Sequence, residues 1–515
     1  MQTVTTEISD VPNVVEASRP ARLLNRNFVL LWQGQFVSWL GAQIVIIAQL
    51  FWIKRVTESA SLIGIMEAVT ALPALLFGPF GGVVADRFSR RKLIIFADVV
   101  RGVAALSLGA MMFLMPDAIG ATIAWMFVVL LISSLMSAFF NPAISAAIPD
   151  LVPKKSITTA NSLTQLSYQL TTFLGQGIGG ALFRLLGAPV LFVIDGVTYL
   201  FSALSEVFVR IPQEIPETSP DWRKQVETLK EDLRAGFQYV WRRAGLRELV
   251  FVSSFLTFFT MPIIILMPFF VEDWLGMTPD WYGFMMASFG VGSLAGFLAA
   301  GSIKLTSRTR HRAIITILLA QSVGYGLIGM VREPMLVLVL AFAGGALNGF
   351  ITVHITTMVQ ITTPTNIRGR VFGLLATISG GLAPISMGLA GIVADLINQN
   401  IPLMYMACGV AMVSLSLIIA FNRDFRHFVR SVDAGEDAAK VEERFVPISG
   451  QPSLLGRSTL SESVRRYITS DRLSNLLIAV TLGLVLGTLA LVLTPLWALA
   501  TVAGLLLVVL MISYG

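Results

Sequence analysis

Long apolar runs separated by short polar connections make up most of the first 422 residues. A helix needs about 20 mostly apolar residues to cross a bilayer. Twelve runs meet that need, so the pattern predicts twelve membrane-spanning helices, at residues 28–53, 61–85, 93–115, 120–140, 158–183, 189–209, 249–270, 281–303, 313–331, 334–359, 371–396 and 401–422.

A polar segment divides these runs into two groups of six. Residues 28–209 and 249–422 predict an N-terminal and a C-terminal bundle, with a polar tail at 1–27 and a linker at 210–248. Within the linker, apolar residues recur at three- and four-residue steps, which is typical of an amphipathic helix. We expect this helix to lie along the membrane surface; a partner-binding role is the alternative.

The C-terminal region repeats the contrast between polar and apolar segments. Residues 423–474 predict a cytoplasmic tail, and residues 475–513 are again apolar, with an interruption at Thr494-Pro495. Each half of that segment is long enough to cross a bilayer. A transmembrane hairpin would bring the total to fourteen spans; a re-entrant or interfacial hairpin is the alternative.

Composition places the chain in a membrane. Of its 515 residues, 55% are hydrophobic and 13% are charged, whereas charged residues make up about 25% of a soluble domain. Cys408 is the only cysteine and lies in an apolar run, which excludes a disulfide within the chain and makes a thiolate metal site implausible. The net charge of +6 is expected from cytoplasmic loops and does not indicate nucleic-acid binding.

Basic residues are concentrated in particular connections. They follow the second, eighth and twelfth spans, whereas loops 116–119, 271–280 and 397–401 contain neither Lys nor Arg. Because cytoplasmic loops carry an excess of Lys and Arg, both ends of the twelve-span body are predicted to face the cytoplasm. The chain is therefore expected in the plasma (inner) membrane, with its N-terminus inside.

The connection after the second span carries a specific motif. It reads Gly82-Val83-Val84-Ala85-Asp86-Arg87-Phe88-Ser89-Arg90-Arg91-Lys92. This loop resembles the signature loop between the second and third helices of major facilitator transporters. Gly82, Asp86, Arg87, Arg90 and Arg91 match that signature, whereas Ser89 stands where the family usually has glycine.

Further stretches are similar to the macrolide-efflux and enterobactin-exporter branch of that superfamily, among them Leu31-Trp32-Gln33-Gly34-Gln35, Phe140-Asn141-Pro142-Ala143 and Arg368-Gly369-Arg370-Val371-Phe372. The resemblance implies an all-α integral membrane protein with the major facilitator fold of two six-helix bundles. It also implies export of an amphiphilic small molecule, such as a drug, macrolide or natural product, by proton-coupled antiport. One departure concerns Gln176, which replaces the proline of a glycine-rich motif that such antiporters usually carry in the fifth span.

Three acids inside the predicted spans are candidates for proton coupling: Glu67, Asp195 and Asp98. A charge at the bilayer centre costs about 2.5–3.5 kcal/mol on insertion scales, so an intramembrane carboxyl group invites a functional hypothesis. The alternatives are a neutral, hydrogen-bonded acid for Glu67 and a structural bond to Thr198 for Asp195. Glu206 and Asp395 lie near span ends and are expected to be solvated.

The resemblance also implies a gating loop and latch, formed by Gly82, Asp86, Arg87, Arg90, Arg91, Asp98 and Arg101. In the family, an arginine of the loop pairs with an acid in the membrane, and the loop aspartate caps the eleventh helix. No acid lies between Gly120 and Phe140 in the fourth span, so Asp98 is the predicted partner. The alternative is a self-neutralised pair of Asp98 with Arg101, one helical turn away.

Amides and methionines provide candidates for a substrate cavity. Polar amides and hydroxyls can bind an amphiphile, and methionine gives adaptable apolar contact. Hydrogen bonds between helices would explain many of these residues equally well. The candidates are Gln43, Met66, Gln165, Tyr168, Gln169, Met261 and Met285.

Other function classes find little support. No phosphate-binding loop or clustered histidine motif occurs, so neither an ATP-driven pump nor a metalloenzyme is predicted, and no cofactor or metal is expected. The expected partners are a small amphiphilic substrate, protons and membrane lipid, without nucleic acid. A siderophore exporter and a lysophospholipid transporter remain alternatives, and a membrane scaffold or sensor is the non-transporting one.

Overall fold

The computed structural model describes residues 22–213, 231, 234–303, 307–422, 425–426 and 428–429. Its regular structure in these ranges is helical, and eleven long helices form the body. They are α1 Arg26–Thr57, α2 Ala60–Arg87, α3 Arg90–Leu114, α4 Ile119–Leu151, α5 Ile157–Val207, α6 Ala244–Ile265, α7 Asp280–Ser302, α8 Ser307–Ile328, α9 Pro334–Thr362, α10 Thr365–Leu396 and α11 Ile401–Phe421. The predicted hairpin at 475–513 lies outside the described residues.

Helix α5 contains two of the predicted spans. It has 51 residues, and it is broken at Gly187, whose φ of 76° and ψ of 165° are not helical. Glycine tolerates this left-handed φ because it has no Cβ atom, and Pro189 follows in the next turn. The first arm, 157–186, and the second arm, 188–207, therefore cross separately. Each of the eleven helices has an apolar segment long enough to span a membrane, and the two arms bring the spans to the predicted twelve.

Helix α4 is longer than the sequence pattern predicted. We expected the span to end at residue 140, but the helix continues to Leu151 with Pro142 and Pro149 inside it. Proline usually breaks a helix because it removes one hydrogen bond and crowds the preceding turn. The extension places Asp150 on the helix, where its carboxylate contacts Arg90 of the basic loop that follows α2.

Polar residues mark the helix starts. Asn25 and Ser59 cap α1 and α2, each by accepting a hydrogen bond from a main-chain N–H of the first turn. Ser89 does the same for α3 through Lys92 N. The serine that departs from the family signature thus stabilises the first turn of α3.

Small residues allow close helix packing within the C-terminal half. Gly292 and Gly296 of α7 face Gly345 and Gly349 of α9, and a Cβ atom at any of the four would overlap the main chain of the facing helix. Glycines at four-residue steps on both helices bring the two backbones together, which is how helices associate in a membrane.

Candidate functional site: a cavity between two halves

The two halves, α1–α5 and α6–α11, meet along two pairs of helices. The N-terminal part of α2 lies against the C-terminal part of α10, where Gly64 and Gly391 each face main-chain atoms of the other helix. The first arm of α5 lies against the start of α7 in the same way, through Gly177 and Gly283. We call this region the closed end.

Charged contacts join the halves at the closed end. Lys54 Nζ lies 2.8 Å from Glu272 Oε2 and 2.7 Å from Asp273 Oδ1, which belong to the π-helical turn that follows α6. Arg184 Nε lies 3.1 Å from Asp280 Oδ1, at the first residue of α7. These ion pairs hold the two halves together at the closed end.

Asp395 adds a helix cap across the interface. Its carboxylate accepts hydrogen bonds from Ala60 N at 3.0 Å, Ser61 N at 2.8 Å and Ser59 Oγ at 2.9 Å. A carboxylate at a helix N-terminus satisfies free N–H groups and interacts favourably with the helix dipole. Asp395 was expected to be solvated. It is partly exposed, and it also caps α2 because the end of α10 lies directly against the start of α2.

The halves separate towards the opposite end, where the basic loop lies. Nothing lies within 4 Å of the position of a Cβ atom at Gly78 and Gly82 of α2, or at Gly373, Gly380 and Gly381 of α10. Further along the same two helices, towards the closed end, Gly64 and Gly391 are in tight contact. Contact between α2 and α10 is therefore confined to the side of Gly64 and Gly391. We infer a cavity between the two helices on the side of the basic loop, which we call the open end.

One face of α5 continues from the closed end into this cavity. Gly177, Phe173, Gln169 and Gln165 follow at four-residue steps, and the Phe173 ring packs against Gly290 of α7. Beyond Phe173 towards the open end, Gln169 is partly exposed and Gln165 is exposed. These two amides are in a position to line the cavity. Tyr168 is also exposed and makes an edge-on ring contact with Trp39, at 5.5 Å between centroids.

Three other predicted lining residues are buried instead. Met66 and Met285 have no exposed surface, and Gln43 is only 9% exposed. Gln43 Oε1 accepts a hydrogen bond of 2.9 Å from Gln176 Nε2. The amide at the position of the missing proline therefore links α5 to α1. Met261 is partly exposed.

Glu67 lies close to the contact between the halves. It follows Gly64 by three residues and precedes Ala68, which packs on Gly388 of α10. Glu67 Oε1 accepts a hydrogen bond of 3.0 Å from Gln49 Nε2. This is the hydrogen-bonded arrangement weighed as the alternative to coupling, and it places a carboxyl group where α2 begins to separate from α10.

A second group of charges is buried inside the N-terminal half. Asp98 and Arg101 of α3 pair at 2.5 Å and are 0% and 5% exposed. The Arg101 guanidinium lies over the rings of Phe140 at 4.0 Å and Tyr199 at 4.7 Å. The self-neutralised pair, given above as the alternative, is thus present.

Two further acids belong to this group, which we call the buried acid row: Asp98, Asp195 and Glu206 around Arg101. Asp195 is 5% exposed, and the Thr198 hydroxyl donates to its main-chain oxygen rather than to its carboxylate. Glu206, expected to be solvated, is 1% exposed and accepts a hydrogen bond of 2.8 Å from Gln35 Nε2. The position of Glu206 near the end of its helix wrongly indicated contact with solvent, because α1 covers that face of α5.

In the basic loop, Arg90 makes the central contacts. Its guanidinium lies 2.6 Å from Asp150 Oδ2 and 3.2 Å from Asp86 Oδ1, and it also donates to Ala146 O at 3.1 Å. The predicted pairing of the loop with Asp98 is therefore wrong for Arg90. Its partner is the acid of α4, which the assumed end of that span had excluded.

The predicted cap of the eleventh span is not seen in this conformation. The Asp86 side chain is 64% exposed. Helix α10 begins at Thr365, after Pro364, without a side-chain cap, rather than near Gly369. Because the halves are apart at this end, a cap between them is expected only when the open end closes.

Comparison with known proteins agrees with this architecture. A family model described as transmembrane secretion effector matches residues 17–447, most of the chain. The chain belongs to this family of major facilitator transporters. It is therefore a multi-pass membrane transporter and not an enzyme, and the similarity to the exporter branch inferred from the motifs is confirmed.

Individual relatives share about a quarter of their residues with this chain. Macrolide efflux protein A of Streptococcus pyogenes is 25% identical over 406 residues, covering 78% of this chain and 96% of the relative. The enterobactin exporter EntS of Shigella boydii is 24% identical over 350 residues, covering 67% and 80%. The crystal structure of a single-residue mutant of nucleoside transporter NupG has a TM-score of 0.60 at 14% identity, covering 78% of this chain and all of the NupG chain, which shows the shared fold.

Proposed function

We propose that this transporter exports an amphiphilic small molecule by alternating access, coupled to the inward movement of protons. The observation that carries the proposal is the one-sided closure: α2 and α5 contact α10 and α7 at one end, while α2 and α10 separate at the other. A cavity that opens to one side between two similar bundles is the arrangement in which rocking of one half against the other exposes a site alternately.

The distribution of basic residues supports an inward-facing state. The open end carries the basic loop 82–92, which the positive-inside rule assigns to the cytoplasm. The closed end, with Lys54 and Asp395, then faces outwards. In this state cargo would enter from the cytoplasm or the inner leaflet and would leave after the halves rock to the opposite arrangement.

The cavity favours cargo with both polar and apolar surface. Gln165 and Gln169 offer amide donors and acceptors, while Tyr168 and Met261 offer apolar contact. The similarity to macrolide efflux protein A supports a macrolide-like drug or natural product as cargo. The similarity to the enterobactin exporter supports a siderophore as the second candidate.

Glu67 is the proposed coupling residue of the cavity. Its carboxyl group lies where α2 leaves α10, so its environment changes when the halves rock. A ligand shifts a two-state equilibrium only if it binds the two states differently. A proton bound from the outside would favour the inward-facing state, and its release to the cytoplasm would accompany export.

Transport in proteoliposomes of known orientation tests the function. A fluorescent amphiphilic cation and a panel of macrolides are loaded, and a pH gradient is imposed. Gradient-dependent flux that is lost in Glu67→Gln and kept in Glu333→Gln, an exposed acid between α8 and α9, would support proton-coupled export. Flux without gradient dependence would indicate a facilitator. No flux of any compound would favour siderophore or lipid transport, or a scaffold.

A further inference from the structure

Two acids of the buried acid row, Asp195 and Glu206, lie on one face of the second arm of α5. Asp195, Tyr199, Ser202 and Glu206 follow at steps of four, three and four residues, so their side chains share a face. Glycines of α1 fit against it: Gly34 packs on Ser202, and Gly41 packs on Thr198 and Asp195. From Asp195 to Glu206 the row extends about 16 Å along the helix, at 1.5 Å per residue.

The row contains more acid than base. α3 contributes Asp98 and Arg101, α4 contributes the Phe140 ring, and α1 contributes the neutral amide of Gln35. Beyond the row, Arg91 donates to the main-chain oxygen of Val207. Three ionised carboxylates with one guanidinium would carry two unbalanced charges away from water, which costs several kcal/mol for each ion. Two bound protons make the row neutral.

Unpartnered oxygens show where protons would bind. Within the described part of the chain, Asp98 Oδ2, Asp195 Oδ1, Glu206 Oε2 and Gln35 Oε1 are buried without a hydrogen-bond partner. Buried polar atoms in proteins are nearly always paired, and a carboxylate provides acceptors only. A protonated carboxyl group gains a donor and can pair with such an acceptor.

Glu206 and Gln35 form a pair in which one hydrogen bond is made and a second is missing. Gln35 Nε2 already donates to Glu206 Oε1 at 2.8 Å, and the remaining oxygen of each group is unpartnered. A proton on Glu206 Oε2 could be donated to Gln35 Oε1, which would complete a reciprocal pair of carboxyl group and amide. If Glu206 were ionised, Glu206 Oε2 and Gln35 Oε1 would both remain without a hydrogen-bond donor.

We propose that Glu206 binds a transported proton, and that Asp98 and Ser202 connect it with the middle of the N-terminal half. The proposal rests on the proton coupling proposed above and adds a second proton site, separate from Glu67. Asp98 interacts electrostatically with both other acids. The Ser202 hydroxyl lies between Asp98 and Glu206, at 3.4 Å from Glu206 Oε1.

Transfer along the row needs no other reactant. A proton leaves the carboxyl oxygen of Asp98 for the Ser202 hydroxyl, which gives its own proton to Glu206 Oε1, 3.4 Å away, so that one O–H bond forms for each that breaks. Glu206 lies one residue before the end of α5, on the side of the basic loop, which is the side that the proposed orientation assigns to the cytoplasm.

Infrared spectroscopy of the full chain in lipid tests the proton on Glu206 directly. We expect the wild-type protein at neutral pH to show carboxylic acid C=O bands, and Glu206→Gln to lack one of them. Glu333→Gln, an exposed acid, is the control and should keep them all. If Glu206→Gln loses no band, Glu206 is ionised and the proposal is overturned, whatever the transport assay shows.

Proton flux tests the connection. In proteoliposomes, Glu206→Gln should keep substrate binding, while the pH dependence of substrate-driven proton uptake flattens several-fold. A wild-type pH profile would overturn the relay. If wild-type transport proves independent of pH while the Glu206 band is present, the proposed antiport fails and the relay fails with it, but the proton site stands. Should Glu206→Gln fail to fold, Gln35→Leu must shift the Glu206 band; an unshifted band overturns the pairing.

Discussion

The Asp395 carboxylate at the end of α10 accepts hydrogen bonds from Ala60 N and Ser61 N at the start of α2, at 3.0 and 2.8 Å. Asp395 belongs to one half of the transporter, and Ala60 and Ser61 belong to the other. The free N–H groups of a helix start are thus satisfied by the opposite half, and only while the closed end stays closed.

Asp395→Asn should open the closed end more often. The amide keeps the shape but loses the negative charge, and hydrogen bonds to charged groups contribute about 1.5–3 kcal/mol. Since about 1.4 kcal/mol corresponds to a factor of ten, the inward-facing population should fall about ten-fold relative to the other state. A cysteine introduced as Met285→Cys, at a buried position of the closed end, would report this through faster reaction with an impermeant thiol reagent. Unchanged labelling would show that the cap does not hold the gate.

Gly391→Val should prevent closure of the same end. A Cβ atom at Gly391 would overlap Ala60 O, whereas one at Gly373 on the same helix meets nothing within 4 Å. Gly373→Val is therefore the matched control, with the same change in helix propensity. Transport should be lost in the first variant and retained in the second. Equal activity of the two would contradict the observed packing of α2 on α10.

Lys54 and Glu272 should show a measurable but modest coupling. Their atoms are 2.8 Å apart, and their side chains are 9% and 17% exposed. Lys54→Met, Glu272→Gln and the double variant form a cycle, for which we expect a coupling of about 1 kcal/mol in thermal unfolding, because ion pairs near water contribute little more. High salt should reduce it. Additive effects would mean that the pair contributes nothing to stability.

Arg90→Lys should destabilise the basic loop. Lysine cannot reproduce the planar contacts that Arg90 makes with Asp150, Asp86 and Ala146 O. We expect a loss of about 1–3 kcal/mol in unfolding free energy, since hydrogen bonds to charged groups in this partly buried site are lost. Arg312→Lys, at an exposed arginine of α8, is the control. Equal melting temperatures for both variants would contradict the central role of Arg90.

Substitutions at Gln169 and Gln43 should have different effects, the first on cargo binding and the second on stability. Gln169→Leu should change the apparent affinity for an amphiphilic cargo several-fold and leave the melting temperature unchanged. Gln43→Leu breaks the hydrogen bond to Gln176 and should lower stability by about 1 kcal/mol. The opposite result, in which Gln43→Leu alters affinity alone, would place Gln43 in the cavity.

The sequence by itself determined the number, boundaries and membrane character of most helices. Apolar length alone decides whether a helix can cross a bilayer, so the twelve predicted spans correspond to α1–α11 with α5 divided at Gly187. The end of α4 was missed because proline normally stops a helix. That error concealed Asp150, and with it the partner of Arg90.

The tertiary structure decided which polar residues face each other. Glu206 and Asp395 lie at helix ends, where the sequence indicates solvent, yet one is covered by α1 and the other caps α2. Met66 and Met285 were expected in the cavity but are buried at the closed end. Helical periodicity identifies the residues that share a face, but the neighbour of each face depends on how the helices cross. Contacts between α2 and α10, more than 300 residues apart in the chain, therefore required the folded protein.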